Sequence, residues 1–204
     1  AAVDVALAAG ETVSDLLLQM KEKALAATDS SLKTAARSAL NEDFKALRDQ
    51  IASVTSNAEF NGVNLLETGA SGFAALANVS GTSTLTVAAE VMALGSTNVS
   101  VSTSQAIDTL SAATASLTAV NDSIDAVSGA LARLGTSSKA LTTHNTFVGK
   151  LTDALEAGVG NLVDADLAKE SAKLQALQTK QQLGVQALGI ANQSPQLVLS
   201  LFRN

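Results

Sequence analysis

The chain contains no cysteine, no tryptophan and no tyrosine, and it has a single proline and a single histidine. Without cysteine it can form no disulfide, no thiolate nucleophile and no cysteine-ligated metal centre. Aromatic residues make up only 2% of the 204 residues, which argues against a thick globular core. The apolar content of 47% is inflated by alanine, a strong helix former with little volume. This composition favours thin contacts between helices.

Positive charge is also scarce, since 13 lysines and arginines face 19 acidic residues, for a net charge of −6. That balance argues against a nucleic-acid partner, because phosphates require a basic surface. No apolar run reaches the roughly 18 residues of a membrane span, so we expect no membrane partner. Residues 1–10 lack the basic start and apolar stretch of a signal peptide. The sequence predicts a soluble chain, and any export would use a route without a cleaved signal.

The stretch Ser104–Leu155 carries two apolar rows whose members are seven residues apart. One row contains Leu110, Leu117, Ile124 and Leu131, and the other contains Ala113, Val120, Val127, Leu134, Leu141, Val148 and Leu155. The spacings alternate between three and four, which predicts a long coiled-coil-like helix. At 1.5 Å per residue this helix would be roughly 75–80 Å long. Leu117, Ile124, Leu131, Leu134 and Leu141 are its predicted seam, and it needs partner helices to cover them.

Two earlier helices are predicted to supply part of that cover. Apolar residues at three- and four-residue spacing predict a first helix over Ala2–Ala27. The polar break Thr28–Ser31 contains good N-cap residues, and a second helix follows from Leu32 to about Ser56. Because the break is short, the two helices should form an antiparallel hairpin.

The middle of the chain loses the helical period. Phe60, Asn61 and Gly62 form a turn signal between apolar anchors. Thr82–Val87 and Val99–Thr103 show β-branched residues in alternation, which predicts a hairpin of two short strands around Met92–Gly95. The predicted fold is therefore mainly α, a long antiparallel helical rod or coiled-coil bundle with a small β-hairpin region at about residues 67–103.

The long helix is predicted to start at Ser102 or Ser104 and to end at Gly158–Asn161. A last helix should run over about Asp164–Asn192 and stop at Pro195, the only proline. An apolar tail follows, and apolar residues at a soluble chain's end are expected to be buried in a partner. The predicted packing residues for self-assembly are Leu174, Leu177, Leu188, Ala191, Leu197, Leu199, Leu201 and Phe202.

Candidates for catalysis are few, and we predict no enzyme activity, no cofactor and no metal. His144 has no acidic residue within a turn on its predicted helix, so a catalytic triad is poorly supported. Asp164, Asp166 and Glu170 could hold a cation, but acids in the first turn of a helix also suit its dipole. Arg48 and Arg133 adjoin apolar rows, where either a buried ion pair or a surface arginine would fit, and the surface arginine is favoured.

Several stretches of the chain resemble one known family. Residues 162–174 read LVDADLAKESAKL, residues 191–196 read ANQSPQ and residues 198–203 read VLSLFR. Residues 60–66 read FNGVNLL. These stretches are similar to the corresponding segments of bacterial flagellins, in particular the short flagellins of alphaproteobacteria. The resemblance covers roughly residues 3–66 and 104–203.

The resemblance implies a filament subunit for swimming motility. It implies a rod domain (D1) over residues 1–163 and a C-terminal segment of the inner coil (D0) over residues 164–204. It also implies an extracellular homopolymer, exported without a cleaved signal peptide, with an export chaperone and the filament cap as transient partners. The family's N-terminal inner-coil segment has no counterpart here, so residue 1 is expected to fall inside a rod helix.

Two alternative functions stay open at this point. One is the hook–filament junction protein of the same system, which the close match to flagellin tails disfavours. The other is a surface homologue that binds an acidic polysaccharide. The net charge of −6 opposes such binding, and only a local basic patch of Lys21, Lys23, Lys33 and Arg37 could support it.

Overall fold

The computed structural model describes the backbone of residues 1–78 and 80–201, and the side chains of residues 1–78 and 80–191. The chain divides into two compact units, Ala1–Asn145 and Thr146–Asn204. The sequence placed a domain boundary between residues 163 and 164, and that boundary stays a prediction.

Helices α1 (Ala2–Ala27) and α2 (Thr34–Asn57) form an antiparallel hairpin, as the short polar break predicted. An ion pair of 2.9 Å between Lys23 Nζ and Asp43 Oδ2 ties their faces together. Arg37 closes the turn by donating to the carbonyl oxygens of Ala27 at 3.1 Å and Asp29 at 2.8 Å. Helix α2 begins two residues later than predicted because Leu32 is still part of the turn, where its N–H donates to the Asp29 carbonyl oxygen.

Strands β1 (Glu59–Phe60) and β2 (Val63–Asn64) form a small antiparallel hairpin directly after α2. Its two-residue turn is Asn61–Gly62, and both residues have positive φ angles, 51° and 77°. Tight hairpin turns with positive φ at both central residues favour this dipeptide, since asparagine and glycine tolerate the left-handed region. The predicted turn at residues 60–62 therefore has a structural cause.

A second antiparallel hairpin pairs β3 (Phe73–Leu76) with β4 (Thr84–Val87), in the register Phe73 to Val87. The strand predicted at Thr82–Val87 is present, but the prediction that it pairs with a strand at Val99–Thr103 was wrong. The N–H and hydroxyl of Ser100 bond to Ser123 and to the Ala119 carbonyl oxygen in the following helix. Val99 and Val101 are both buried in the core, whereas Ser100 between them bonds to the helix, so the alternation arises without a strand partner.

The final helix, α3, runs without interruption from Leu110 to Leu201. The predictions that a helix starts at Ser102 or Ser104, ends at Gly158–Asn161 and stops before Pro195 were wrong. Residues 102–109 are not helical, and the N–H of Ala112 donates to Thr109 Oγ1 at the true start. A helical glycine costs only about 1 kcal/mol relative to alanine, so good helix formers on both sides can carry the helix through. Proline also destabilises a helix without always ending it.

The hydrophobic core lies in the first unit, between α1, α2, the middle segment and the first part of α3. Its largest fully buried side chains are Phe44, Leu17, Met20, Ile51, Leu65, Leu66, Met92, Ile107 and Leu134. The core is thin and mostly aliphatic, as the lack of aromatic residues predicted. Across the described residues, no helix has the length and apolar character needed to pass through a bilayer.

Candidate functional site

The buried side of α3 in the first unit follows the predicted three- and four-residue spacing. The buried residues are Ala113, Ser116, Val120, Ser123, Val127, Ala130 and Leu134. Of the predicted seam, Leu134 is fully buried, whereas Leu117, Ile124, Leu131 and Leu141 are half-buried and pack against the edge of the core. One buried row of α3 therefore consists of the small residues Ser116, Ser123 and Ala130, whose burial cannot be predicted from hydrophobicity alone.

Two serines occupy that row because their hydroxyl groups find acceptors. Ser116 Oγ donates to the Ala106 carbonyl oxygen at 2.8 Å, and Ser123 Oγ donates to the Ala119 carbonyl oxygen at 2.6 Å. Ser123 Oγ also accepts the Ser100 N–H at 3.0 Å. Small side chains with satisfied hydroxyls let the segment before α3 lie close to the helix. A serine recurring at core spacing was the available sequence signal.

Helix α1 approaches α3 closely at Gly10. A Cβ atom there would lie 2.7 Å from Leu131 Cδ2 and 3.2 Å from the Met92 side chain. Ser138 Oγ donates to Asp4 Oδ1 at 3.1 Å, so α1 and α3 run antiparallel along this contact. The first part of α3 is therefore covered by the partner helix that its apolar rows required.

Arg133 is exposed, as the favoured surface interpretation predicted, although it pairs with a buried acid. Arg48 is mostly buried, so for Arg48 that interpretation was wrong. Arg133 donates from Nε and Nη2 to the two carboxylate oxygens of Glu90, at 2.7 and 2.6 Å. Glu90 is buried, and its hydrogen bonds to Arg133 raise the pKa of that guanidinium. Arg48 donates to Asp49 and to the Gln105 carbonyl oxygen at 3.0 Å. Both arginines hold loop segments onto helices.

The turn motif at residues 60–62 leads into a buried asparagine that the sequence did not single out. Asn64 Nδ2 donates to the Thr55 carbonyl oxygen at 2.8 Å, and Asn64 Oδ1 accepts the N–H groups of Leu66 and Glu67. This one side chain thus bonds to a carbonyl oxygen near the end of α2 and to two N–H groups of the next turn. Phe60 itself is 41% exposed.

The part of α3 in the second unit presents large apolar side chains to solvent. The exposed apolar residues from 147 onward are Phe147, Val148, Leu151, Leu155, Val159, Leu162, Val163, Leu167, Leu174, Leu177, Leu183, Val185, Leu188 and Ile190. Among the predicted packing residues, Leu174 is 55% and Leu188 72% exposed. Ala191 is also exposed. The side chains of Leu197, Leu199 and Leu201, and the whole of Phe202, lie outside the described part of the chain.

The groups considered for chemistry belong to different units of the chain. His144 is half-buried, and Asp164, Asp166 and Glu170 are exposed along one helix. Within the described residues, no group of three histidine or acidic side chains could hold a metal ion. The candidate surface is therefore the exposed apolar part of α3, which is suited to contacts with other helices.

Comparisons with known proteins agree with the resemblance seen in the sequence. The family model of the bacterial flagellin N-terminal helical region matches residues 1–71, and that of the C-terminal helical region matches residues 117–202. The chain shares its fold with a crystal structure of Bacillus cereus flagellin. That match has a TM-score of 0.60 and 20% identity, and it covers 71% of this chain and 83% of the other.

Relatives with higher identity come from alphaproteobacteria. Flagellins FljM and FljK of Caulobacter vibrioides are 56% and 55% identical over 201 residues, covering 98% of this chain and 72% of each relative. A flagellin of Brucella melitensis is 36% identical, covering 98% of this chain and 74% of the relative. The chain belongs to the flagellin family, the structural subunits of the bacterial flagellar filament.

Proposed function

We propose that copies of this chain assemble through the exposed apolar part of α3, residues 147–191, which supplies the buried contacts of the filament. The observation that carries the proposal is the long run of exposed leucine, valine and isoleucine side chains in the second unit. Exposed apolar surface of this extent marks an interaction site. Family membership makes other copies of the chain the natural partner.

The free-energy balance supports assembly through many small contacts. Burying one valine, leucine or isoleucine side chain is worth about 1.5–3 kcal/mol relative to exposure. Association costs an estimated 4–15 kcal/mol in lost translational and rotational freedom. Several of the exposed residues must therefore be covered at once before assembly becomes favourable. A single contact near Leu174 or Leu188 would be insufficient.

We further propose that the chain leaves the cell unfolded through the flagellar export channel, without a cleaved signal peptide. An export chaperone would cover the apolar C-terminal segment before assembly, and the filament cap would receive the subunit afterwards. The absence of cysteine supports this route, because no disulfide would hinder unfolding. The packing role of Leu197, Leu199, Leu201 and Phe202 belongs to the same proposal.

Substitution of Leu188 by aspartate tests the assembly proposal. Leu188→Asp places a charge on the apolar surface and should abolish filaments seen by electron microscopy, because a buried unpaired charge is costly. Gln182→Asp is the matched control, since it adds the same charge beside the apolar surface. Circular dichroism should show both variants as helical as the parent chain. Filaments of normal length from Leu188→Asp would contradict the proposal.

The polysaccharide alternative loses part of its basis in the structure. Of the predicted basic patch, Lys23 is paired with Asp43, and Arg37 donates to two carbonyl oxygens of the turn. Lys21 and Lys33 are what is left to meet an acidic polymer. The junction-protein alternative gains no support, because the relatives named above are themselves flagellins.

A further inference from the structure

The turn between β1 and β2 places an exposed asparagine directly before an exposed glycine. Asn61 and Gly62 are its two central residues, and they are held at φ angles of 51° and 77°. A Cβ atom built on Gly62 would meet no other atom within 4 Å. Because glycine has no side chain of its own, nothing shields its main-chain nitrogen from the side chain of the preceding residue.

The Asn61 side chain differs from three other asparagines of the first unit in its hydrogen bonding. Asn57, Asn64 and Asn98 each donate to a main-chain carbonyl oxygen, at 2.7, 2.8 and 3.0 Å. Within the part of the chain that the structure describes, the Asn61 amide makes no hydrogen bond. The other three are followed by alanine, leucine and valine, whose side chains crowd the next main-chain nitrogen. Asn61 is therefore the asparagine of this group whose amide is best placed to react with the chain.

We propose that Asn61 is a site of spontaneous deamidation, in which the main-chain nitrogen of Gly62 is the nucleophile. That nitrogen attacks Asn61 Cγ and closes a five-membered succinimide ring. The Cγ–Nδ2 bond breaks, and the side-chain amide leaves as ammonia with the proton that the Gly62 nitrogen gives up. This inference goes beyond the proposed function and does not depend on assembly.

Water completes the reaction by opening the ring. Hydrolysis at Cγ gives aspartate, whereas hydrolysis at the main-chain carbonyl carbon gives isoaspartate, in which the chain continues through the side-chain carboxyl carbon. The net reaction consumes one water molecule and releases one ammonia molecule. It requires no enzyme, oxidant or cofactor.

Opening of the folded turn sets the rate of this reaction. Ring closure requires the Asn61 side chain and the Gly62 nitrogen to rotate toward each other, and a closed two-residue turn restricts that rotation. The hairpin of β1 and β2 has only two residue pairs. Short hairpins have little stability of their own, and exposed turns open locally without unfolding the core. The reaction is therefore expected in the native protein, at a lower rate than in the unfolded chain.

The two products should affect the turn differently. Aspartate, like asparagine, tolerates a positive φ angle, so it can keep the turn while adding a negative charge two residues after Glu59. Isoaspartate adds a methylene group to the main chain, so the two-residue turn and the pairing of Phe60 with Val63 cannot both be kept. Isoaspartate is therefore expected to loosen the hairpin.

Ageing of the full chain tests the proposal. The purified protein is incubated for several weeks at neutral pH and then digested with a protease that cleaves after glutamate. Cleavage after Glu59 and Glu67 releases residues 60–67, FNGVNLLE, which include both Asn61 and Asn64. Fragmentation in a mass spectrometer shows which asparagine has been converted to an acid, and an isoaspartate-specific methyltransferase measures isoaspartate. A parallel sample in guanidinium chloride gives the rate without the folded turn.

We expect Asn61 to be converted first in the native protein, with isoaspartate among its products, and several-fold faster in the unfolded sample. Conversion of Asn57, Asn64 and Asn98 in the native protein should be much slower. Conversion of Asn57 or Asn98 as fast as that of Asn61 would overturn the inference. A native sample in which Asn61 stays intact would overturn it as well, because the turn would then protect its own amide.

Two variants separate the chemistry from the opening of the turn. Gly62→Ala places a methyl group beside the attacking nitrogen and also strains the turn, since alanine disfavours a φ angle of 77°. Conversion at Asn61 should fall many-fold in this variant even though its turn is looser. Asn64→Ala keeps the reacting pair but removes the hydrogen bond that anchors the hairpin to α2, so conversion should become faster. Unchanged conversion in Gly62→Ala would contradict attack by the glycine nitrogen, and an unchanged rate in Asn64→Ala would contradict control by local opening.

Discussion

Helix α3 passes through both units of the protein, and its apolar residues meet opposite environments in them. In the first unit, every third or fourth residue from Ala113 to Leu134 is buried by α1, α2 and the middle segment. In the second unit, residues of the same types, such as Leu174 and Leu188, are more than half exposed. The same helix, with apolar residues of the same types, is therefore buried in a core in the first unit and left exposed in the second.

This difference in burial distinguishes the residues that fold the subunit from the residues that join it to other subunits. The first unit contains the buried serine hydroxyls, the Arg133–Glu90 pair and Asn64, which donates to a carbonyl oxygen near the end of α2. These polar groups therefore have their hydrogen-bond partners within one chain. The second unit has apolar residues of the kind that form a core, but they are exposed to solvent. Its stabilisation is expected to come from neighbouring subunits, because most helical stability in proteins comes from packing.

Truncation of a core leucine should show the contrast most strongly. Leu134→Ala removes a fully buried side chain and should lower the free energy of unfolding of the monomer by about 2–5 kcal/mol. Leu174→Ala removes an exposed side chain, and the change in the monomer should stay within about 0.5 kcal/mol. Denaturant unfolding followed by circular dichroism measures both.

The same pair of variants should reverse its order in filaments. Leu174→Ala should weaken polymers against depolymerisation by heat, because the residue is buried only there. A monomer that is destabilised equally by both substitutions would mean that the second unit already has its apolar residues covered. In that case the distinction between the two units would be wrong.

Removal of a buried polar side chain should have a smaller effect, again confined to the first unit. Asn64→Ala leaves the Thr55 carbonyl oxygen and the Leu66 N–H without their partner. Unsatisfied buried groups of this kind cost about 1–3 kcal/mol, which calorimetry of the monomer should detect. Asn57→Ala is the control, since its side chain is exposed and caps only the end of α2. Equal effects from the two would show that Asn64 acts only as a surface residue.

Much of the helical fold could be predicted from sequence because the helices repeat one simple pattern. The bounds of α1 and the hairpin with α2 follow from apolar spacing and a short polar break. The segment after residue 82 was harder to predict. Alternation at Val99 and Val101 indicates one-sided burial, and the structure shows that both are buried in the core without a strand partner.

The details of the contacts could be predicted less well. Ser116 and Ser123 were missed in the seam because burial of serine depends on an acceptor that the sequence does not reveal. The partner of Arg133 lies 43 residues away, so its ion pair could not be inferred from local spacing. The continuity of α3 through Gly158–Asn161 was not predicted, because the helix propensity of the residues on either side was not taken into account.

The smallest expected effect concerns glycines of α3, and it sharpens the comparison between the units. A Cβ added at Gly135 or at Gly184 would meet no other atom within 4 Å in the monomer. Alanine should therefore stabilise the helix at either site by about 0.5–1 kcal/mol relative to glycine. Gly135 lies beside the core of the first unit, so Gly135→Ala should raise the free energy of unfolding of that unit.

Gly184→Ala should increase the helical signal of the monomer without changing the unfolding of the first unit, because residue 184 lies in the second unit. Calorimetry and circular dichroism together separate these outcomes. Gly10→Ala is the informative counterpart, since its Cβ would lie 2.7 Å from Leu131 Cδ2 and the contact should offset the gain in helix propensity. If all three alanines raised the stability of the first unit equally, the close approach of α1 and α3 and the separation of the units would both be refuted.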